Sequence, residues 1–369
     1  MEFRISRENF LNGIQKVQGI VETKGAMPIL SHLLLSADSS GICIQATDLE
    51  IGTKGFYQAT VATKGAVALN ARKLFDIVKE LPNEEVRVAG EENNWVTMEC
   101  GNSRFRLPGL PPADFPALPE YSEDSVMDFR APLLKEMIRK TIFAISPDES
   151  RQALNGLLLE QEDGRATMVG TDGHRLALIR RPASKGGTSG GEPLSMIIPK
   201  KALNELLKLA EDDEATLSFS IKNNHLAFIQ GKQVLVSRKI EGKFPNYKQV
   251  IPKDHNLKIT LQKDAFQHAM KRVALLADEK SKMVRFEIRK GSLTLISDST
   301  ELGAAREEIP ISYQGEEMFI GLNAKYVLDV LSVVEQNEIV LNLKDQNHPC
   351  LVTVEEDKDY LSIVMPMRL

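Results

Sequence analysis

Apolar positions along this chain follow two periods in a fixed order, and that order occurs three times. Each repeat opens on a stripe spaced by three and four residues. The first is Phe10, Ile14, Val17 and Val21 behind Ser6; the second is Leu134, Met137, Ile138, Thr141 and Ile142 behind Pro132; the third is Phe266, Met270, Val273 and Leu276. Such spacing gathers side chains on one face of a helix, and Ser6 suits an N-cap as Pro132 suits a first turn. Short runs of alternating apolar and polar residues follow, the signature of half-buried strands. A second, shorter helical stripe closes each set, over 71–78, 200–207 and 324–331.

The strands are punctuated by a recurring turn. Val169-Gly170-Thr171-Asp172-Gly173-His174-Arg175-Leu176-Ala177-Leu178 reads as strand, tight turn and strand. An Asp side chain bonds backbone two residues on, and glycine accepts positive φ. Related stretches are Ala46-Thr47-Asp48-Leu49-Glu50-Ile51 and Ile296-Ser297-Asp298-Ser299-Thr300-Glu301. The aspartates lie 172 − 48 = 124 and 298 − 172 = 126 residues apart. A basic residue opening the second helix recurs at Lys73, Lys201 and Lys325, spaced 201 − 73 = 128 and 325 − 201 = 124. Two markers with one period predict three copies of one unit, near 369/3 = 123 residues each. Proline- and glycine-rich stretches at 110–116 and 240–247, both containing Phe-Pro, read as connectors between copies. The expected fold is α+β, three tandem domains of two helices plus a β-sheet, over 1–121, 122–252 and 253–369.

Composition narrows the function classes. Hydrophobic content is 42% and charged content 26%, ordinary for a globular protein, and no apolar run approaches a membrane span. Cys43, Cys100 and Cys350 are odd in number and widely spaced. They predict a reduced, cytoplasmic protein without a structural metal site. The net charge of −5 excludes a uniformly basic nucleic-acid binder. Cations do gather on the helices: Lys16, Arg72, Lys73, Lys135, Arg139, Lys140, Lys200, Lys201, Lys271, Arg272 and Lys325. Either they are ordinary solvated helix surface, or they form one stripe that meets phosphates without reading bases.

Other chemistry is weaker. Asp172 beside His174 invites a hydrolase reading, but the other copies replace His174 by Glu50 and Thr300, so a turn or ligand pocket is expected instead. No histidine has metal-ligand spacing, and no metal or cofactor is expected. The glycine-rich 184–191 lacks the G-K-[ST] end of a phosphate loop and reads as a surface loop. The acidic 211–214 reads as a solvated turn. The tail Met365-Pro366-Met367 is unusually apolar; it either completes a core or offers an adaptable binding surface.

The order Met27-Pro28-Ile29-Leu30, Thr47-Asp48-Leu49-Glu50, Ala113-Asp114-Phe115-Pro116, Leu154-Asn155-Gly156, Thr171-Asp172-Gly173-His174-Arg175-Leu176, Phe244-Pro245-Asn246-Tyr247, Tyr326-Val327-Leu328-Asp329-Val330-Leu331 and Val364-Met365-Pro366-Met367-Arg368-Leu369 resembles the bacterial replicative sliding clamps, the beta subunits of DNA polymerase III. The resemblance covers the whole chain. It implies a non-enzymatic processivity factor: a head-to-tail homodimeric ring of six domains whose helices line a hole around duplex DNA. Size agrees, because a unit of this length has a radius of gyration of about 14 Å and behaves as a sphere roughly 35 Å across. Six such spheres enclose a hole of about 35 Å and four only about 15 Å, whereas the duplex exceeds about 17 Å.

By the same resemblance, a groove between the second and third domains takes short linear peptides from the replicative polymerase, the clamp loader and repair proteins. Its residues here are Leu154, Thr171, Gly173, His174, Arg175, Leu176, Pro245, Val250, Ile363, Met365, Pro366 and Met367. Gln249 stands where the family often has a basic residue, and Ala153 where an aromatic occurs. The DNA-facing set is Lys24, Arg72, Lys73, Lys135, Arg139, Lys200, Lys201, Lys271 and Lys325. The subunit seam is expected to join Arg104, Phe105 and Arg106 to Leu275, Leu276, Glu307 and Glu308. Two other readings remain: an open three-repeat scaffold that grips nucleic acid by charge alone, and a hydrolase built on Asp172 and His174.

Overall fold

The computed structural model describes residues 1–22, 27–124, 126–162, 164–183, 194–210 and 214–369. Lys24, the glycine-rich 184–191 and the acidic 211–213 lie outside the described residues. Among those described, six helices of nine or more residues occur, two in each third: α1 (Arg7–Gln18), α2 (Ala71–Glu80), α3 (Ala131–Arg139), α4 (Lys200–Leu209), α5 (Lys263–Ala274) and α6 (Ala324–Val333).

Local sequence explains the helix boundaries. The Ser6 hydroxyl accepts from the Asn9 N–H at 3.3 Å and starts α1. Phe10, Ile14 and Val17 are buried as the periodicity predicts, but the helix stops at Gln18 and Ile20, not Val21, completes the stripe. Gly13 permits the close seat of α1 on its sheet, since a Cβ there would meet Ile44 at 2.7 Å. Asn70 and Asn323 cap α2 and α6 by accepting from Lys73 and Tyr326 N–H. These caps correct the helix phase: Arg72, not Lys73, occupies the second position held by Lys201 and Lys325 in the other copies. Replacing Asn323 by Ala is expected to cost about 1 kcal/mol by uncapping α6; the check is its midpoint in chemical denaturation against that of Ser332→Ala, a change at the far end of the same helix.

The chain forms two compact units, Met1–Leu134 with Lys201–Lys239, and Lys135–Pro182 with Ile240–Leu369, the strand Leu194–Pro199 belonging to the second. Among the described residues, the first unit holds a thirteen-stranded sheet. Within it Ile51–Tyr57 of the first third pairs antiparallel with Gln233–Arg238 of the second. The second unit holds an eight-stranded sheet, in which Arg175–Pro182 pairs with Asp357–Val364 of the last third, and a separate four-stranded sheet. The thirds are thus stitched to one another by continuous backbone hydrogen bonding. α1 packs on α2 in the first unit and α5 on α6 in the second, so the helices cover sheet faces in pairs.

Two strands leave one side open. Ser103–Leu110 pairs with Trp95–Cys100 along most of its length and meets Gly65–Asn70 only through Gly109 and Leu110. Gly303–Pro310 is one of the two outer strands of the four-stranded sheet. Both alternate exposed and half-buried residues, as unpartnered edges do.

A half-buried ion cluster braces the second unit. Arg181 Nη2 lies 2.5 Å from Glu136 and 2.7 Å from Asp357, and Lys140 Nζ lies 2.8 Å and 3.0 Å from the same carboxylates. Lys140 was expected on the outer face of α3 with Lys135 and Arg139. It is instead buried, because the helix ends at Arg139 and the next residue turns inward over the Tyr360 ring. Burial opposes ionisation of Glu136 and Asp357, but hydrogen bonds from Arg181 and Lys140 outweigh it and hold both below the usual carboxylate range. The cysteines are free thiols, and burial pushes that of Cys350 up to about 12. No described helix is long and apolar enough to cross a membrane.

Candidate functional site

The Thr-Asp turn is built twice with the same bonds. Asp172 Oδ1 accepts from His174 and Arg175 N–H at 2.9 and 3.0 Å, while Thr171 Oγ1 donates to the Arg175 carbonyl and accepts from Gly173 N–H. Asp48 and Thr47 repeat this with Glu50, Ile51 and Leu49. Gly173 has φ +89, and its counterpart Leu49 adopts +77. The third copy departs from the expectation: Asp298 lies exposed within a strand, and the Ser299 hydroxyl accepts from Glu301 and Leu302 N–H instead. Ser299 does there what the aspartate does in the other copies, one residue further on.

The second turn is locked from behind. Arg175 is buried, its Nε 3.0 Å from Asp172 Oδ2, its Nη1 2.5 Å from Asp329 on α6, and its guanidinium over the Tyr326 ring. Arg151 Nη1 donates to the Asp172 carbonyl at 2.7 Å. Both Asp172 oxygens are therefore committed to holding the turn, which leaves no general base beside His174. The side chain of His174 is exposed, and its carbonyl accepts from Met365 N–H at 2.8 Å.

That bond leads to an apolar cluster. Leu176 pairs across strands with Ile363, and both are buried with Leu158, Val169, Leu178, Ile197 and Leu351. Leu154 and Met365 pack on the cluster half-buried and open to one side. The strap 244–251 crosses it, with Phe244 and Tyr247 buried and Pro245, Gln249 and Val250 exposed. Tyr247 donates to Glu160 at 2.6 Å and so fastens the strap; burial, then that carboxylate, push its phenol up. Pro366 and Met367 continue half-buried, with Met367 N–H donating to the Gly321 carbonyl.

Of the twelve residues expected to form a groove, Leu154, Leu176, Ile363 and Met365 belong to one apolar cluster. Thr171, Gly173, His174 and Arg175 form the turn beside it, and Pro245 and Val250 are exposed on the strap. The sequence reading gave no site role to Arg151, nor to Asp329 and Tyr247, which it quoted only within family motifs. Their link to the site runs through contacts between distant segments and leaves no local signal.

The other expected residues fall as follows. Arg72, Lys73, Arg139, Lys200, Lys201, Lys271 and Lys325 are exposed, and Lys135 is half-buried. Lys201 forms an ion pair with the buried Asp48 carboxylate, and Lys325 one with Asp329 at 2.8 Å, so these cations also brace the turns. Arg104 and Arg106 are exposed on the open side of Ser103–Leu110, with Phe105 half-buried between them. On Gly303–Pro310, Glu308 is exposed, and Glu307 bonds Arg272. Leu275 is 76% exposed just beyond α5, and Leu276 is half-buried.

Three family models match in succession: the N-terminal domain of the DNA polymerase III beta subunit over residues 1–119, the central domain over 129–246 and the C-terminal domain over 248–368. A beta sliding clamp of Pseudomonas putida is 34% identical, and one of Caulobacter vibrioides 36% identical, each over the full length of both chains. Crystal structures of the DNA polymerase III beta subunit from Pseudomonas aeruginosa (32% identity, TM-score 0.93) and of the sliding clamp from Bacillus subtilis (28% identity, TM-score 0.94) superpose on the whole chain, covering 100% and 99% of their own lengths. Sequence, repeat architecture and structural likeness agree: the chain belongs to the DNA polymerase III beta subunit family, the beta sliding clamps of DNA replication.

Proposed function

We propose that this clamp works as a head-to-tail homodimeric ring around duplex DNA, without catalysis of its own, in the cytoplasm. The observation that carries this reading is the pair of open edges, Arg104 and Arg106 on one strand and Glu307 and Glu308, with Arg306 beside them, on the other. Two different edges that complement each other make a heterologous contact, and such contacts close into a ring when the rotation permits. Each chain then contributes domains 1–121, 122–252 and 253–369, six in the dimer. The exposed cations Arg72, Lys73, Arg139, Lys200 and Lys271, with Lys135, Lys201 and Lys325, face the phosphates. A protein of net charge −5 holds DNA by encirclement rather than by grip.

The floor and rim around Leu176, Ile363 and Met365 receive short linear peptides of the replicative polymerase, the loader and repair proteins. Tethering through such peptides raises the local concentration of a partner on its template without new DNA contacts. The test loads the protein on nicked circular DNA and then linearises the circle. Retention is expected before the cut and escape within seconds after it. Equal retention on both forms, with steep salt dependence, favours the open charged scaffold instead.

A further inference from the structure

The first seam carries a cavity of its own. It measures about 580 Å³ and lies in the first unit, between the strands of the first third and the connector 115–121. The 124-residue offset between Asp48 and Asp172 sets it beside the groove residue for residue. Across the groove strands, Leu158, Val169 and Leu178 are directly opposed. The equivalent opposed row at the first seam is Leu34, Gln45 and Lys54, and all three line the cavity. Phe115 stands in for Phe244. An apolar row has become half polar and gained a cation.

The geometry points to a second peptide-docking site at this seam, for an extended segment of a partner protein that places a carboxylate between apolar side chains. Three observations choose that occupant. First, the volume lies within the range of about 300–1,000 Å³ typical of ligand pockets. Second, an extended piece of the chain already uses the site: Leu118 covers Gly52, where a Cβ would come within 2.1 Å of its methyl. The groove counterpart of Gly52 is Leu176, so the missing side chain leaves room that Leu118 of the connector fills, an apolar side chain from an extended segment. Third, the charge is positive and available. Among the described residues, the ion pairs include none to Lys54; its ammonium rests 4.9 Å from the Tyr121 ring and 5.7 Å from that of Phe56. Lys222 is held only by Glu120, whose side chain is 86% exposed, a pair that an incoming carboxylate can replace.

This site is separate from the groove around Met365, and it stands or falls independently of it. The test titrates the full chain with three acetylated, amidated tripeptides, Leu-Glu-Phe, Leu-Gln-Phe and Leu-Lys-Phe, observed by saturation-transfer NMR. Affinity is expected to fall in that order. Lys54→Gln is expected to weaken the Glu peptide by about tenfold, the loss of one charge-assisted hydrogen bond, and to leave the Gln peptide unchanged. Lys54→Leu, which restores the leucine that the groove has at the equivalent position, Leu178, is expected to erase the preference for Glu. Met365→Ala removes any share of binding in the groove and is expected to leave the preference for Glu over Gln intact. Equal binding of the Glu and Gln peptides to the wild-type protein overturns the proposal. So does binding that survives Lys54→Gln but is lost in Met365→Ala, which assigns the peptide to the groove.

Discussion

Arg104→Glu combined with Arg106→Glu is expected to turn the protein into a monomer and abolish its retention on circular DNA. In the proposed ring, each of these side chains faces the carboxylates of Gly303–Pro310 in a second copy, so the double reversal sets like charges against one another at both seams. Like-charge juxtaposition at an interface costs several kcal/mol, and a loss of roughly 4 kcal/mol weakens association about a thousandfold. Neither arginine is part of a core: both are exposed, with local partners in Glu99 and Glu91. Folding should survive, and circular dichroism checks that. The decisive variant carries Glu307→Arg and Glu308→Arg as well. Sedimentation should then show the dimer restored, because the charges are exchanged rather than removed. A quadruple variant that stays monomeric, or a double variant that stays dimeric, rejects these edges as the seam.

Arg181→Met should destabilise the second unit by roughly 1.5–3 kcal/mol, the range for hydrogen bonds to charged groups, because Arg181 and Glu136 are only half-buried. Glu136 and Asp357 then share only Lys140. The loss has a pH signature whose sign follows from the depressed carboxylates. Groups held below their unfolded values add stability that is fully present above the unfolded range, near pH 4–4.5, and lost as pH falls through the folded values. The stability gap between wild type and variant should be constant near neutrality and narrow below about pH 4.5. Chemical denaturation at a series of pH values measures it, and a gap that widens on acidification would show the cluster to be repulsive.

How far the sequence could be read depended on the range of the interactions. Helices and the first two turns were legible because Thr and Asp side chains bond backbone only two to four residues away. The third turn was misplaced because a serine one position later performs the same task, and spacing alone does not separate Asp298 from Ser299. Lys140 was misread because its partner Asp357 lies 217 residues away and only the tertiary fold turns it inward. Arg72 and Lys73 were exchanged because the helix phase is set by the Asn70 cap. The groove set came from family likeness rather than periodicity; Asp329 and Tyr247 stood in the quoted family motifs without a role, and Arg151 in neither.

The pairing of Arg175–Pro182 with Asp357–Val364 also orders events in time. Ser362 Oγ donates to the Leu176 carbonyl across 186 residues of chain. Synthesis proceeds at roughly 5–20 residues per second, so the middle third waits many seconds on the ribosome with that sheet edge unpaired. During this interval neither Ile363 nor Met365 exists to floor the groove. In the proposed clamp, a nascent chain therefore cannot compete with finished molecules for partner peptides until the last strand arrives.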